Sequence, residues 1–228
     1  MHIKICGLTN LDDALAAIDA GADYLGFNFY AKSPRYLPPA ACERLQSELA
    51  RRGAAATTVG VFVNSPVAEV AALLDSCGVK LAQLHGDERA EHLTVLWGRA
   101  FKVLRQPAAL SGDELQALSV FSPGQPAFLV DALAPNLYGG SGQLADWQAA
   151  ARVAARHPIF LAGGLNPANV AAAVEQVHPW GVDVASGVES APGKKDHARI
   201  KSFVAAARAA GQNLQPTQLQ NLPVTNLP

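Results

Sequence analysis

The sequence predicts a single-domain α/β protein, a (β/α)8 (TIM) barrel, because three observations agree. Apolar runs typical of strands alternate with segments of helical periodicity along most of the chain. About eight such strand–helix units fit into about 210 residues, which is the repeat number and size of this barrel. The strand runs are almost continuously apolar, as expected for parallel strands buried on both faces. A doubly wound sheet is the alternative, since strand order cannot be read from a sequence.

The strands are identified from short runs of apolar and β-branched residues. In the first strand, Ile3 and Ile5 alternate with polar residues, and Cys6 stands at the carboxyl end. The other strands are expected at Asp23–Phe29, Thr57–Val63, Val79–Leu84, Ala100–Leu104, Pro126–Val130, Pro158–Ala162 and Gly181–Ala185.

The helices are identified from apolar residues at helical spacing and from residues that favour helix ends. Asn10 is expected to cap the first helix and Gly21 to end it. Ser65 with Pro66 predicts the start of the third helix, and Asn166–Pro167 predicts the start of the seventh. The remaining helices are expected at Ala40–Arg52, Asp87–Trp97, Gly112–Val120 and Ala145–Arg156, with a last helix from Asp196.

Composition excludes several classes of function. Half of the 228 residues are hydrophobic, which supports a large core, and the formal net charge is only −1. Without a basic stripe, binding to nucleic acid or to an anionic membrane is not expected. No apolar run is long enough to span a bilayer, and the N-terminus lacks the pattern of a signal peptide.

Cysteine usage and the C-terminal sequence complete this outline. The three cysteines, at 6, 42 and 77, form an odd and scattered set without zinc-site spacing. We therefore expect reduced thiols, a cytoplasmic location and no metal site. Residues 212–228 are rich in Gln, Asn, Pro and Leu without periodicity, so a disordered tail is expected after a barrel domain at 1–211.

Functional residues are expected where strands end, because barrels bind ligands at the carboxyl face of the sheet. The candidates at these positions are Cys6, Asn28, Arg35, His85, Arg105, Asp131, Gly163–Gly164 and Ser186–Gly187.

Cys6 and Asp131 are the candidates for chemistry. A thiolate at position 6 could act as a nucleophile or as a general base, or Cys6 could be an inert buried thiol. Asp131 follows an apolar strand, where its surroundings could keep the carboxyl protonated as a general acid. Its alternative roles are those of a helix cap or an ion-pair partner.

Binding residues are expected around these two groups. Gly163–Gly164 and Ser186–Gly187 follow the seventh and eighth strands, where barrels often bind phosphate through backbone N–H groups. Arg35 could clamp a carboxylate with two hydrogen bonds, or be a solvated loop arginine. His85 could face a ligand or stabilise a turn. Asp183, within a strand, could contact substrate hydroxyls or hold a loop.

Six segments, in this order and spacing, resemble the phosphoribosylanthranilate isomerase family of tryptophan biosynthesis. The resemblance covers the chain from Ile3 to about Ala210 and has one mild departure, Ser141 in place of the family's threonine. The six segments are Lys4–Thr9, Ser33–Tyr36, Gln83–Gly86, Gly139–Gly142, Ala162–Pro167 and Gly181–Glu189.

The resemblance implies an Amadori rearrangement of N-(5'-phosphoribosyl)anthranilate to 1-(2-carboxyphenylamino)-1-deoxyribulose 5-phosphate. It assigns Asp131 as general acid, Cys6 as general base and Arg35 to the anthranilate carboxylate. His85 and Asp183 are then further substrate-binding residues. The implied phosphate site comprises Gly140, Gly142, Gly163, Gly164, Ser186 and Gly187.

The implied reaction needs no cofactor, and its partner is a small phosphoribosyl substrate bound by a monomer or homodimer. Two alternatives remain open at this point. One is a related phosphosugar isomerase of the histidine-pathway type, although that family has an aspartate where this chain has Cys6. The other is a barrel that binds a phosphorylated ligand without catalysis.

Overall fold

The computed structural model describes residues 1–131 and 146–213. Its central feature is a closed barrel of parallel strands in sequence order, which confirms the predicted fold class. The strands are β1 His2–Ile5, β2 Tyr24–Asn28, β3 Thr57–Phe62, β4 Leu81–Leu84, β5 Ala100–Leu104, β6 Phe128–Val130, β7 Ile159–Leu161 and β8 Gly181–Val184.

The pairing of β1 with β8 closes the barrel. Lys4 lies opposite Asp183 in this parallel pair, and the N–H of Cys6 donates to the carbonyl of Val184 at 2.8 Å. Pairing of the first strand with the last is incompatible with an open, doubly wound sheet, so that alternative is excluded.

Helices follow the strands, and a short antiparallel hairpin, β9 Glu189–Ala191 and β10 Lys194–Lys195, lies between β8 and the last helix. The described helices are α1 Leu11–Asp19, α2 Pro39–Arg51, α3 Val67–Ser76, α4 Ala90–Val95, α5 Gly112–Leu118, α6 Trp147–Ala154, α7 Val170–Val177 and α8 His197–Gln212.

The expected ends of α1 are confirmed, whereas the starts of α3, α4 and α7 do not follow the predicted pattern. Asn10 Oδ1 accepts from the N–H of Asp13 at 2.8 Å, and Gly21 has φ +97° just after the helix. In α3, however, Pro66 precedes the first helical residue and no side chain caps the helix.

The other two differences have side-chain causes. α4 begins at Ala90 rather than at 87, because the Glu88 carboxylate instead accepts hydrogen bonds from the N–H groups of Gly86 and Asn64. α7 begins at Val170, because Asn166 forms a local turn with Ala168.

The alternation of side chains along the strands creates two cores. Outward residues such as Ile3 and Ile5 join the larger core between barrel and helices. A smaller cluster fills the barrel interior, and its buried members are Tyr24, Val59, Leu81, Phe101, Val103, Leu129, Phe160 and Ala162.

Two expectations concern the limits of the described residues. Gln212 is the last residue of α8, and the rest of the expected tail, from 214 onward, lies outside the described part of the chain. Among the residues that are described, no helix is long and apolar enough to cross a membrane.

Candidate active site

Cys6 lies buried just beyond the carboxyl end of β1, at the mouth of the barrel. Its Sγ packs directly on the backbone of Gly26 in β2, since a Cβ built on that glycine would lie 2.7 Å from the sulfur. The next residue, Gly7, has φ +74° and lies under the side chain of Arg35. Glycine is required at both positions, because a side chain at 26 would overlap the Cys6 sulfur and one at 7 would overlap the Arg35 side chain. The two contacts place the thiol and the guanidinium side by side.

A fully buried lysine lies beneath the thiol. Lys4, two residues before Cys6 in β1, points into the barrel and donates from Nζ to Asp183 Oδ1 at 2.8 Å. Burial raises the pKa of the Cys6 thiol, and Lys4 is the largest influence in the opposite direction. Asp183, buried within β8, is thus paired with a lysine that the sequence analysis did not single out.

Asp131 follows β6 and is buried at the same mouth, where two strands, β7 and β8, separate β6 from β1 around the barrel. Its Oδ2 lies 3.3 Å from His85 Nε2, although the two groups are not aligned as a hydrogen bond. On the other side of the ring, His85 Nδ1 is 3.1 Å from Gln83 Nε2. The imidazole of His85 therefore lies between the side chains of Gln83 and Asp131.

Arg35 is held in a network that extends to the β9–β10 hairpin. Its Nε and Nη2 donate to the two carboxylate oxygens of Glu189 at 2.8 and 2.7 Å. Lys195 Nζ donates to the same carboxylate at 2.8 Å and to the carbonyl of Ala185 at 3.0 Å. Arg35 is therefore not a solvated loop residue, because its own chain orients the guanidinium at the mouth.

The two loops expected to bind phosphate lie in direct contact. Gly163 and Gly164 follow β7 with φ values of +83° and +66°. Gly187, after β8, lies so close to the carbonyl of Leu165 that a Cβ would sit 1.9 Å from the oxygen. Ser186 begins the short 3-10 helix that contains Gly187. These small residues therefore form one continuous backbone surface at one side of the mouth.

The other predicted residues are accounted for as follows. Gly140 and Gly142 lie outside the described residues. Arg105 pairs with Asp87 at 2.8 Å. Within 1–131 and 146–213, no three His, Cys, Asp or Glu side chains gather where they could hold a metal ion.

Sequence reasoning missed Lys4, Glu189 and Lys195. A signal existed for Lys4, because residues two apart in a strand share a face, so a lysine at position 4 must point the same way as Cys6. No comparable signal existed for Glu189 and Lys195, which reach the site through the hairpin after β8.

The chain resembles known proteins over most of its length. The family described as N-(5'phosphoribosyl)anthranilate (PRA) isomerase matches residues 3–206. A relative from Pelobacter propionicus, an N-(5'-phosphoribosyl)anthranilate isomerase, is 44% identical over 208 residues, which is 91% of this chain and 96% of the relative.

Solved structures agree. The phosphoribosyl anthranilate isomerase from Thermotoga maritima has a TM-score of 0.77 and 36% identity, covering 92% of this chain and 99% of that one. A phosphoribosyl anthranilate isomerase in complex with reduced 1-(O-carboxyphenylamino)-1-deoxyribulose 5-phosphate has a TM-score of 0.75 and 35% identity, with the same coverage. The chain therefore belongs to the N-(5'-phosphoribosyl)anthranilate isomerase family.

Proposed function

We propose that this chain catalyses the Amadori rearrangement of N-(5'-phosphoribosyl)anthranilate to 1-(2-carboxyphenylamino)-1-deoxyribulose 5-phosphate, a step of tryptophan biosynthesis. Family membership over residues 3–206 supports the reaction. One observation supports the mechanism most strongly. Cys6 and Asp131 are both buried at the barrel mouth, each just after the carboxyl end of a strand. A thiol and a carboxyl in such a site provide one base and one acid.

Asp131 is the general acid of the first step. It donates a proton to the ring oxygen of the ribose while the anilino nitrogen supplies electrons to C1. The C1–O bond breaks, and an open-chain iminium ion forms. The carboxyl is buried at the barrel mouth with the His85 imidazole 3.3 Å away, a position from which it can reach a bound substrate.

Cys6 is the general base of the second step. The iminium ion acidifies the proton on C2, and the thiolate removes that proton to give an enolamine. Tautomerisation then adds a proton at C1 and removes one from the C2 hydroxyl, which yields the ketone. Each step is a proton transfer and the product is an isomer of the substrate, so neither an oxidant nor a reductant is needed and no cofactor is part of the proposal.

The remaining groups bind the substrate. Arg35, oriented by Glu189, faces the anthranilate carboxylate. Asp183 uses Oδ1 for Lys4, and we assign Oδ2 to a ribose hydroxyl. His85, with Nε2 3.3 Å from Asp131, is assigned as a further substrate-binding residue. The glycine-rich loops after β7 and β8, with Ser186, donate backbone N–H groups to the phosphate, and Gly140 and Gly142 are assigned to the same site.

The proposal extends to domain, assembly and location. One barrel domain, ending near residue 211, supplies the proposed acid, base and arginine, so a monomer or a homodimer suffices. Three free, buried cysteines are typical of a reducing compartment, and we place the reaction in the cytoplasm.

Loss of anthranilate fluorescence tests the function with the purified full chain. We expect turnover of N-(5'-phosphoribosyl)anthranilate and growth of a tryptophan auxotroph that lacks the isomerase. Turnover of the aminoimidazole aldose of the histidine pathway, without turnover of N-(5'-phosphoribosyl)anthranilate, would refute the proposed substrate. Binding of a product analogue without any turnover would instead indicate a non-catalytic barrel.

A further inference from the structure

The buried ion pair beneath the active site is unusual for the interior of this barrel. Lys4 has no exposed surface, and its ammonium is joined to Asp183 across the β1–β8 seam at 2.8 Å. A cluster of apolar and aromatic side chains fills much of the rest of the interior. Burying two charges costs several kcal/mol per ion, and well-packed apolar residues are often at least as stable in such places. Stability alone therefore does not explain why a lysine occupies this position.

The charges around Cys6 suggest what the lysine does. From the described residues, Lys4 of β1, Asp183 of β8, Lys195 of β10 and Arg35 of the loop after β2 all act on the thiol electrostatically. Glu189 of β9 is paired with both Arg35 and Lys195. These groups comprise three cations and two carboxylates. A thiolate at Cys6 supplies the third negative charge and makes the cluster neutral.

Lys4 is the cation best placed to serve the thiolate. It points inward as Cys6 does, because the two residues are two apart and Cys6 continues the pairing of β1 with β8 through its N–H bond to Val184. Lys195 and Arg35 both direct hydrogen bonds to Glu189. Among the described residues, Lys4 is ion-paired with Asp183 alone, and its charge is the largest influence that favours a Cys6 thiolate.

We propose that Lys4 is a positioning residue that stabilises and orients the Cys6 thiolate at the end of β1, with Asp183 as the buried counter-ion that keeps Lys4 charged. The catalytic consequence rests on the proposed function, in which Cys6 is the base. The interaction between Lys4 and Cys6 does not rest on it.

The direction of each electrostatic effect agrees with this role. Burial by itself favours a neutral Lys4, but Asp183 and then Cys6 outweigh it, so the pKa of Lys4 lies above its usual value. At the thiol, burial and Asp183 raise the pKa, while Lys4 lowers it more than Lys195 does. Without Lys4, the two largest remaining influences on the thiol, burial and Asp183, both disfavour the thiolate.

The test is a pH titration of the Cys6 thiolate in the substrate-free protein, followed by ultraviolet thiolate absorbance. Subtracting the matching Cys6→Ser protein removes the signals of Cys42 and Cys77. We expect Lys4→Met to raise the titration midpoint by about one to three pH units, the range for loss of an opposite charge at close distance. The acidic limb of the pH profile of kcat moves in the same direction.

Lys102→Met is the matched control. Lys102 is also a buried lysine of the barrel, paired with Glu88 at 3.1 Å, but Cys6 is not among the groups that act on it. Its removal imposes a similar packing loss, and we expect no change in the Cys6 midpoint. If Lys4→Met does not fold, the double variant Lys4→Gln with Asp183→Asn replaces it, and we still expect a raised midpoint. If Lys102→Met does not fold, Lys102→Gln with Glu88→Gln replaces it.

An unchanged midpoint without Lys4, or an equal shift without Lys102, would overturn the proposal. Because the titration uses no substrate, its outcome is separate from that of the proposed function. A raised midpoint in Lys4→Met together with full turnover by Cys6→Ala would support the effect of Lys4 on Cys6 and refute the role of Cys6 as general base.

Discussion

The carboxylate of Glu189 holds the guanidinium of Arg35 through two parallel hydrogen bonds of 2.8 and 2.7 Å. The two residues are 154 positions apart, and their pairing joins the loop after β2 to the hairpin after β8. Such a bidentate pair fixes the plane of the guanidinium as well as its place. Glu189 therefore fixes the orientation of Arg35, which in the proposed function faces the anthranilate carboxylate.

Replacing Glu189 by Gln should raise KM more than it lowers kcat. The amide cannot accept both guanidinium bonds, so Arg35 loses its fixed orientation towards the proposed position of the anthranilate carboxylate. One charge-assisted hydrogen bond contributes about 1.5–3 kcal/mol, so we expect KM to rise about tenfold or more, with a smaller change in kcat. Steady-state fluorescence kinetics measure both constants. The exposed Glu43→Gln is the control, and an unaltered KM in Glu189→Gln would refute this role.

The same carboxylate gives a pH-dependent contribution to stability. Burial pushes the pKa of Glu189 up, but hydrogen bonds from Arg35 and the charge of Lys195 outweigh burial and hold that pKa below its usual value. A group with a lowered folded pKa stabilises the fold fully above its unfolded pKa, about 4.3, and loses this contribution as the pH falls through the folded pKa.

Urea unfolding of wild type and Glu189→Gln tests this sign. At neutral pH the variant should have a lower free energy of unfolding, because two buried cations lose their partner. The difference should shrink as the pH falls below about 4.3, since the wild-type carboxyl is then protonated as well. A difference that stays constant down to the acid limit would contradict the assignment.

Gly26→Ala should displace the thiol. A Cβ at this position would lie 2.7 Å from Cys6 Sγ and 3.0 Å from its Cα, so the strand end must shift. Misplacement of a catalytic group by about 1 Å can cost about a hundredfold in rate, and we expect kcat to fall by at least tenfold. The control is Gly112→Ala, where a Cβ meets nothing within 4 Å. Equal kcat values for the two variants would show that the thiol does not depend on this contact.

Gly187→Ala should separate the two loops of the proposed phosphate site. The new Cβ would lie 1.9 Å from the carbonyl oxygen of Leu165, a backbone atom that cannot move aside cheaply. We expect a higher KM and weaker inhibition by inorganic phosphate, each by about tenfold, the equivalent of one hydrogen bond to a charged group. Unchanged inhibition by phosphate in a folded variant would place the phosphate elsewhere.

Residue pattern alone predicted the parts of this molecule that depend on local periodicity. The strand runs end where the structure ends them to within one or two residues, so Cys6 and Asp131 were found at strand ends. Gly163 and Gly164 were found for the same reason, since left-handed turns after a strand favour glycine.

Partners that depend on closure of the barrel could not be predicted. Lys4 meets Asp183 only because β1 pairs with β8 in one register, across 179 positions of sequence. The helix starts at α4 and α7 were misjudged because the side chains of Glu88 and Asn166 form hydrogen bonds outside helices. Tertiary contacts of this kind override local capping preference.

The central claim is that Cys6 removes the proton from C2, and the kcat of Cys6→Ala tests it most directly. At saturating N-(5'-phosphoribosyl)anthranilate we expect kcat to fall at least about a hundredfold, the lower range for a lost acid–base group. The affinity for a product analogue should remain close to that of wild type. Cys42→Ala, which removes another buried thiol from α2, should keep its turnover. Near wild-type turnover by Cys6→Ala would contradict the account.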